Sequence, residues 1–358
     1  MNSISELEAL LGGLPPPARS AARRIFSVST STATLEAPQA MAGWITSVFG
    51  SVEAVRRQLV VRVTNVVTLE GALFNELRAR RPKDLKGAVD VRRAIAEARG
   101  DPFCHVETGT PSDTFGHVAG RHGTAVANVA KYDGLHGVIV FNEHDPLAPI
   151  SADVLADHLR TGRGWAVKGV AADPDARYYF LLWNSLWRAG GSILHGHMQM
   201  TLTRGLHYPK VEALRRQSLG YWSDHGCDYF EDLWSVHEAL GLGTTVDGAR
   251  AMAYLAPTKE REILVLGRSG EDESALAGGI AHALATLRRG GGVMAHNLAL
   301  YVPPLSADGS DWSRFPPLAR IVDRGDPADR TSDIGAMELY AASVISSDPF
   351  RIGEALRS

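Results

Sequence analysis

Cysteine is nearly absent from this 358-residue chain, which holds only Cys104 and Cys227. Two cysteines cannot build a disulfide framework, so a reducing, cytoplasmic setting is the simplest expectation. No apolar run approaches the ~18 residues that a membrane-spanning helix requires. The first residues lack a basic stretch leading into an apolar one; Gly12, Gly13 and Pro15 to Pro17 interrupt them, so no secretory leader is expected. Positive charge is not in excess either. The 37 Lys and Arg are outnumbered by 40 Asp and Glu, and a net charge of −3 argues against nucleic-acid binding by broad phosphate neutralisation. With 45% hydrophobic residues the chain can bury a sizeable core, and its length fits two domains or one fold with two halves.

What is present is a pattern used twice. Residues 1–45 are weakly patterned: a short helix over Ser5 to Leu11 ends at Gly12-Gly13, and Ser27 to Thr34 is a polar stretch, read together as a peripheral arm. Gln58 to Asn65 is rich in β-branched residues and predicts a strand, with a turn near Gly71 and a second strand into Leu77. Gly137 to Phe141 predicts a buried strand. Pro146 and Pro149 end it, and Ser151 or Asp153 caps a helix with Val154, Leu155, Leu159 and Ala166 near one face. A strand over Tyr178 to Trp183, a glycine turn and a strand through His195 to Leu202 follow.

The second copy starts with a strand at Glu262 to Gly267. A helix from about Ser274 carries Leu276, Ile280, Ala283 and Leu287 at helical spacing, and glycines 290–292 lead to a strand over Val293 to Val302. A separation of roughly 125 residues is too long for a solenoid repeat and points to duplication of one unit. The expected fold class is α+β: two halves, each an antiparallel sheet with helices packed on it. Residues 46–240 form the catalytic half. Residues 241–358 form a second half without the paired histidines, in which His296 stands at the matching place.

The chemistry concentrates in Asn184 to Gln199. On a strand, His195, His197 and Gln199 point one way, while Met198 and Met200 point into a core. Three polar groups on one strand face must have partners or face a cleft. Gly190 and Gly191 let the backbone approach an anion closely, and Ser192 adds a hydroxyl beside it. A neutral imidazole can attack an α-phosphorus if its other nitrogen donates to a fixed acceptor, and the Gln199 amide can stabilise charge on a phosphate oxygen. The plain alternative is a pair of core or metal-bound histidines that happen to alternate.

This segment resembles the signature of the galactose-1-phosphate uridylyltransferase branch of the histidine-triad superfamily: Asn, eight residues on Ser, then His-Pro-His-x-Gln. Gly196 replaces the proline. The resemblance implies two histidine-triad-like halves, with His197 as nucleophile and His195 positioning it. Gln199 and Ser192 would hold the α-phosphate, and Asn184 would contact the nucleotide together with Gly190 and Gly191. Leu77-Arg-Ala-Arg-Arg-Pro82 resembles the family's His-Arg-Ala-Lys-Arg-Pro, which places a grip on substrate phosphate at Arg78 and Arg81. Asn128, before His136-Gly137, matches the stretch that bounds base and ribose.

Some family members hold a structural zinc between two cysteines, a histidine and the first motif histidine. The corresponding residues here are Asp101, Cys104, His144 and His195, a legitimate set because carboxylate can replace thiolate. Alternatively, Asp101 caps a turn before Pro102. A second metal site is not expected, since Leu298 and Leu300 stand where histidines would be needed. The resemblance implies a homodimer that takes a nucleotide sugar or nucleotide and a phosphate or sugar 1-phosphate acceptor. The family's C-terminal glutamine is missing: Gly335-Ala-Met-Glu-Leu-Tyr340 is followed by Ser343 at the corresponding distance. Three readings follow. The leading one is nucleotidyl transfer from a nucleoside-diphosphate sugar to a sugar 1-phosphate. The others are a phosphorylase of an ADP-sugar or dinucleoside polyphosphate, and a non-catalytic nucleotide-binding protein.

Overall fold

The computed structural model describes residues 2–82, 89–268 and 273–358. Its strands begin with β1 (Phe26–Thr34), β2 (Arg57–Asn65) and β3 (Gly71–Phe74), then β4 (Val118–Ala119), β5 (Gly123–Ala127) and β6 (Leu135–Phe141). β7 (Ala176–Ser185) and β8 (His197–Arg204) complete the first half. β9 (Gly243–Val246), β10 (Ala249–Ala253), β11 (Ile263–Leu266), β12 (His296–Tyr301), β13 (Leu318–Asp323) and β14 (Ser343–Ile345) make the second. The fold is α+β, as expected.

Ten of these strands form one sheet in the order β4-β5-β6-β8-β7-β12-β13-β11-β10-β9. Each half contributes five strands in the same internal order, and β7 meets β12 antiparallel at the centre. This alignment corrects one expectation. His296 opens β12, the counterpart of β7; the strand that corresponds to β8 is β13, which holds no histidine. The sequence pattern places the match one strand too early because the second half makes a longer connection, 302–317, between β12 and β13.

One face of the large sheet is the core. Helices α1 (Ala152–Ala172) and α2 (Glu273–Gly291) cover it and pack on each other. Ser151 caps α1 by accepting from Val154 N–H, one of the two caps expected. Met198, Met200, Leu181, Trp183, Leu298 and Leu300 all point to this side and are buried, each burial contributing about 1.5–3 kcal/mol. Gly137 sits under Trp165, where a Cβ would approach the indole at 2.8 Å. The small sheet, β1-β2-β3-β14, is antiparallel except for the β14–β3 pair. The polar stretch Ser27–Thr34 is therefore edge strand β1, held by nine pairs to β2 and not by hydrophobic alternation. Among the described residues no helix is long and apolar enough to cross a membrane.

Candidate active site

The polar face of β8 lies opposite the helical layer. His197 pairs with Val140 on β6, and Gln199 pairs with Val138 on β6 and Leu182 on β7. Directly opposed residues share a face, so His197, Gln199 and, two residues beyond Leu182, Asn184 look into one cleft.

His197 is buried, and its Nδ1 stands 2.8 Å from the carbonyl oxygen of His195. Only a protonated Nδ1 can satisfy that carbonyl, so the Nε2 lone pair is free and has no partner among the described residues. Burial pushes this imidazole below the usual histidine range; the bond to His195 O offsets part of the effect. The ring thus turns an unengaged Nε2 toward the cleft.

Two amides flank it, each with its oxygen anchored and its NH₂ left over. Gln199 Oε1 lies 3.0 Å from His136 Nε2. Asn184 Oδ1 accepts from Asn297 Nδ2 at 2.7 Å, Asn297 accepts in turn from Arg324 Nη1, and Arg324 is held bidentately by Asp333. His136, Asn297 and Arg324 were not found from the sequence. The one signal was polarity at the strand positions of His136 and Asn297, with Arg324 just past the end of β13; the partners depend on pairing between distant strands. Asn128, at the end of β5, places Nδ2 3.2 Å from His136 Nε2, so it belongs to the same cleft.

The glycine turn works differently from its sequence reading. Gly190 N–H donates to Trp187 O and Gly191 N–H to Leu186 O, so both donors are engaged inside the turn. Gly190 takes φ +93°, and a Cβ on Gly191 would meet Asn184 O at 2.7 Å. The glycines permit the close turn after β7; Ser192 stands exposed beside it with its hydroxyl unengaged among the described residues. Gly196 is equally constrained. A Cβ there would stand 2.6 Å from the Phe141 ring, and its N–H donates to His144 O at 3.0 Å. A proline would lose that bond and strike Phe141, which explains this departure from His-Pro-His.

Asp101, Cys104, His144 and His195 come together, their ligand atoms all within 4.8 Å of one another. The two Nδ1 atoms face each other at 3.2 Å, and Cys104 Sγ lies 3.4 and 3.6 Å from them. Such separations match the edges of a tetrahedron with metal bonds of about 2.0–2.3 Å. Both rings donate Nε2–H to backbone carbonyls, His144 to Ile95 and His195 to Phe141, which turns both Nδ1 lone pairs inward. Asp101 fills both roles considered for it. Oδ1 caps the turn Pro102–His105, while Oδ2 is buried 3.6 Å from His144 Nδ1 without a hydrogen-bond partner among the described residues. Facing lone pairs and an orphaned carboxylate oxygen fit a divalent cation, and this donor set suits zinc. The same turn carries Phe103, whose ring packs edge-on against His195 and His197 at 5.9 and 5.4 Å.

Arg78 and Arg81 are exposed and line a cavity of about 730 Å³ with Arg188, Lys259, Arg261 and Arg324, as well as the segment Gly335 to Glu338. His197, Ser192 and Gln199 are not in its lining; the connection between the two places runs through Arg324, which lines the cavity and reaches Asn184 by way of Asn297, with Arg188 bonded to the Arg324 carbonyl. Ser343 Oγ donates to Thr258 O and does not face the cavity.

No protein-family model matches the chain, and no curated protein matches it in sequence. Solved structures do match in fold. An ADP-glucose phosphorylase from Arabidopsis thaliana, with bound ADP-glucose, superposes at a TM-score of 0.61 and 16% identity over 82% of this chain and 97% of that one. A galt-like protein from Arabidopsis thaliana gives 0.58 and 16% over 73% and 92%. A uridylyltransferase gives 0.56 and 17% over 69% and 88%. The fold of this chain is thus the one that the histidine-triad resemblance implied, shared with a sugar-nucleotide phosphorylase and a uridylyltransferase.

Proposed function

We propose that the chain is a nucleotidyltransferase that carries a nucleoside monophosphate on Nε2 of His197. What supports this most is one arrangement: a buried imidazole committed through Nδ1 to His195 O, its Nε2 free, beside the anchored amide of Gln199. In the first step the Nε2 lone pair attacks the α-phosphorus of a nucleoside-diphosphate sugar. A P–N bond forms, the bond to the bridging oxygen breaks, and that electron pair leaves with the sugar 1-phosphate. The ring gains positive charge as it reacts, and the His195 carbonyl stabilises it through Nδ1–H. Gln199 donates to a non-bridging oxygen, where negative charge grows. Ser192 holds the same phosphate, while Asn184 and Asn128 contact the nucleoside. In the second step a phosphate oxygen of the acceptor attacks the same phosphorus, and His197 departs as neutral imidazole.

Arg78 and Arg81 grip the acceptor phosphate in this reading. Zinc bound by Asp101, Cys104, His144 and His195 would be structural: it would cross-link the Pro102–His105 turn to the motif.

The second reading, a phosphorylase discharged by inorganic phosphate, draws on the cavity. Its segment Gly335 to Tyr340 offers no side-chain amide for sugar hydroxyls, and Glu338 is engaged in capping Gly335 N–H. A cavity rich in arginine can still hold a phosphate.

Intact-protein mass measurement after mixing with UDP-glucose, UDP-galactose, ADP-glucose, GDP-mannose and diadenosine tetraphosphate tests the mechanism. We expect a gain of one nucleoside monophosphate with at least one donor. In His197→Ala the adduct disappears and turnover falls by about 10⁴-fold or more. An adduct of equal yield in His197→Ala overturns the mechanism. Discharge of the adduct by sugar 1-phosphate or by inorganic phosphate separates the two readings.

A further inference from the structure

The nucleophile has its tautomer set by His195 O; the charge-stabilising amide needs an equivalent control. An amide side chain has two nearly isosteric ends, and a Gln199 turned the other way would present a carbonyl oxygen to a phosphate and repel it. The geometry around β6 shows what prevents this. Tyr132 N–H donates to Nδ1 of His136 at 2.9 Å, so Nδ1 carries the lone pair. In a neutral ring the proton is then on Nε2, which lies 3.0 Å from Gln199 Oε1 and donates to it. The ring is fully buried, and burial holds its pKa below the ordinary histidine range, with the bond to Gln199 opposing the shift and Lys131 adding to it.

Two further contacts hold the ring in place. Tyr132 stacks on it at 4.4 Å and 26°, and β6 pairs His136 with Thr201, one position along the same face from Gln199. Asn128 does not compete with Gln199 for the His136 Nε2–H, because its Oδ1 accepts from Ala130 N–H and the atom it turns toward the ring is the donor Nδ2. Gln199 Nε2 has no hydrogen-bond partner among the described residues.

We propose that His136 is a positioning residue: a relay from the Tyr132 backbone N–H through His136 holds Gln199 Oε1 and presents the Gln199 NH₂ to the α-phosphate. This rests on the nucleotidyltransferase reading for its consequence, but not for its geometry. His136 touches neither substrate nor reacting atoms, so its effect must pass through Gln199.

Two measurements test it on the full chain. Nitrogen NMR of protein labelled in histidine, with His136→Phe to assign the signal, reads the tautomer at pH 7. We expect neutral Nε2–H; an Nδ1–H tautomer or a protonated ring overturns the relay, whether or not any donor forms an adduct. Absence of an adduct in the wild type, with Nε2–H observed, would instead overturn the nucleotidyltransferase reading and leave the relay supported. The second is a cycle of adduct-formation rates with UDP-glucose and ADP-glucose as probes. We expect His136→Phe and Gln199→Ala each to slow the rate by about 10- to 100-fold, and the double variant to be no slower than Gln199→Ala. His136→Gln, which keeps a donor, should recover much of the rate. Multiplied losses in the double variant, or a wild-type rate in His136→Phe, overturn the proposal. If His136→Phe fails to fold, the His136→Ala and Gln199→Ala pair carries the same cycle.

Discussion

The two halves share a strand order, yet their corresponding faces have opposite fates. One row of paired residues crosses the large sheet through Gln199 on β8, Leu182 on β7, Ala299 on β12 and Arg320 on β13. Three strand spacings, about 14 Å, separate its ends. At the first end Gln199 presents an unengaged amide to a cleft. At the second, Arg320 donates to Glu262 at 2.7 Å and to Glu70 at 2.5 Å, over the ring of Tyr254. Glu70 comes from the β2–β3 turn, and Asn65 beside it donates to Tyr229 and Tyr254. The small sheet has thus been laid over the second face and sealed it with an ion cluster. A polar strand face is either satisfied internally or left free for a ligand, and this chain does one in each half.

The comparison breaks most visibly at Arg320. Glu262 has no exposed side-chain surface, so Arg320→Ala leaves a buried carboxylate without its main partner. We expect a loss of about 3 kcal/mol in denaturant unfolding, while the folded fraction still forms the His197 adduct. Unchanged stability would show that the second face is not closed by this cluster. Next in size is the metal set, found in the first half. Elemental analysis should find one zinc per chain; Cys104→Ala should lose it and lower the thermal midpoint by several degrees, as the turn bearing Phe103 is released. A midpoint indifferent to both chelator and Cys104→Ala would remove the metal from the account. The smallest effect sharpens the comparison. Asn297 belongs to the second half yet anchors Asn184, so Asn297→Ala should slow adduct formation about tenfold with little change in stability. A wild-type rate would make the second half a scaffold alone.

Much of the fold was legible. Leu181, Trp183, Met198 and Met200 alternate with polar neighbours, and strand periodicity assigns their face without any structure. The helices at Ser151 and near Ser274 announced themselves by cap and spacing. Strand β1 did not, because Ser27 to Thr34 has no alternation; pairing to β2 makes it a strand. His197 and Gln199, on which the proposed mechanism rests, were legible as a motif, and the four residues of the metal set by resemblance. The roles of His136 and Asn297 were not. Asn297 is 113 residues from Asn184, and nothing local distinguishes a polar residue that orients an amide from one that is merely tolerated.

The sequence by itself determined that His197, Gln199 and Ser192, the groups to which the proposed mechanism gives the chemistry, sit at set spacing on one strand and its preceding turn. It also determined two similar α+β units through their periodicity. Strand periodicity put His197 and Gln199 on one face; tertiary structure alone decided which ring nitrogen and which amide end each presents there. Tautomer and amide orientation follow from contacts across strands, such as His195 O to His197 and His136 to Gln199, and from a register that no local pattern encodes. It also decided that Arg78 and Arg81 line a cavity whose walls do not include His197, since that arrangement depends on where the small sheet packs.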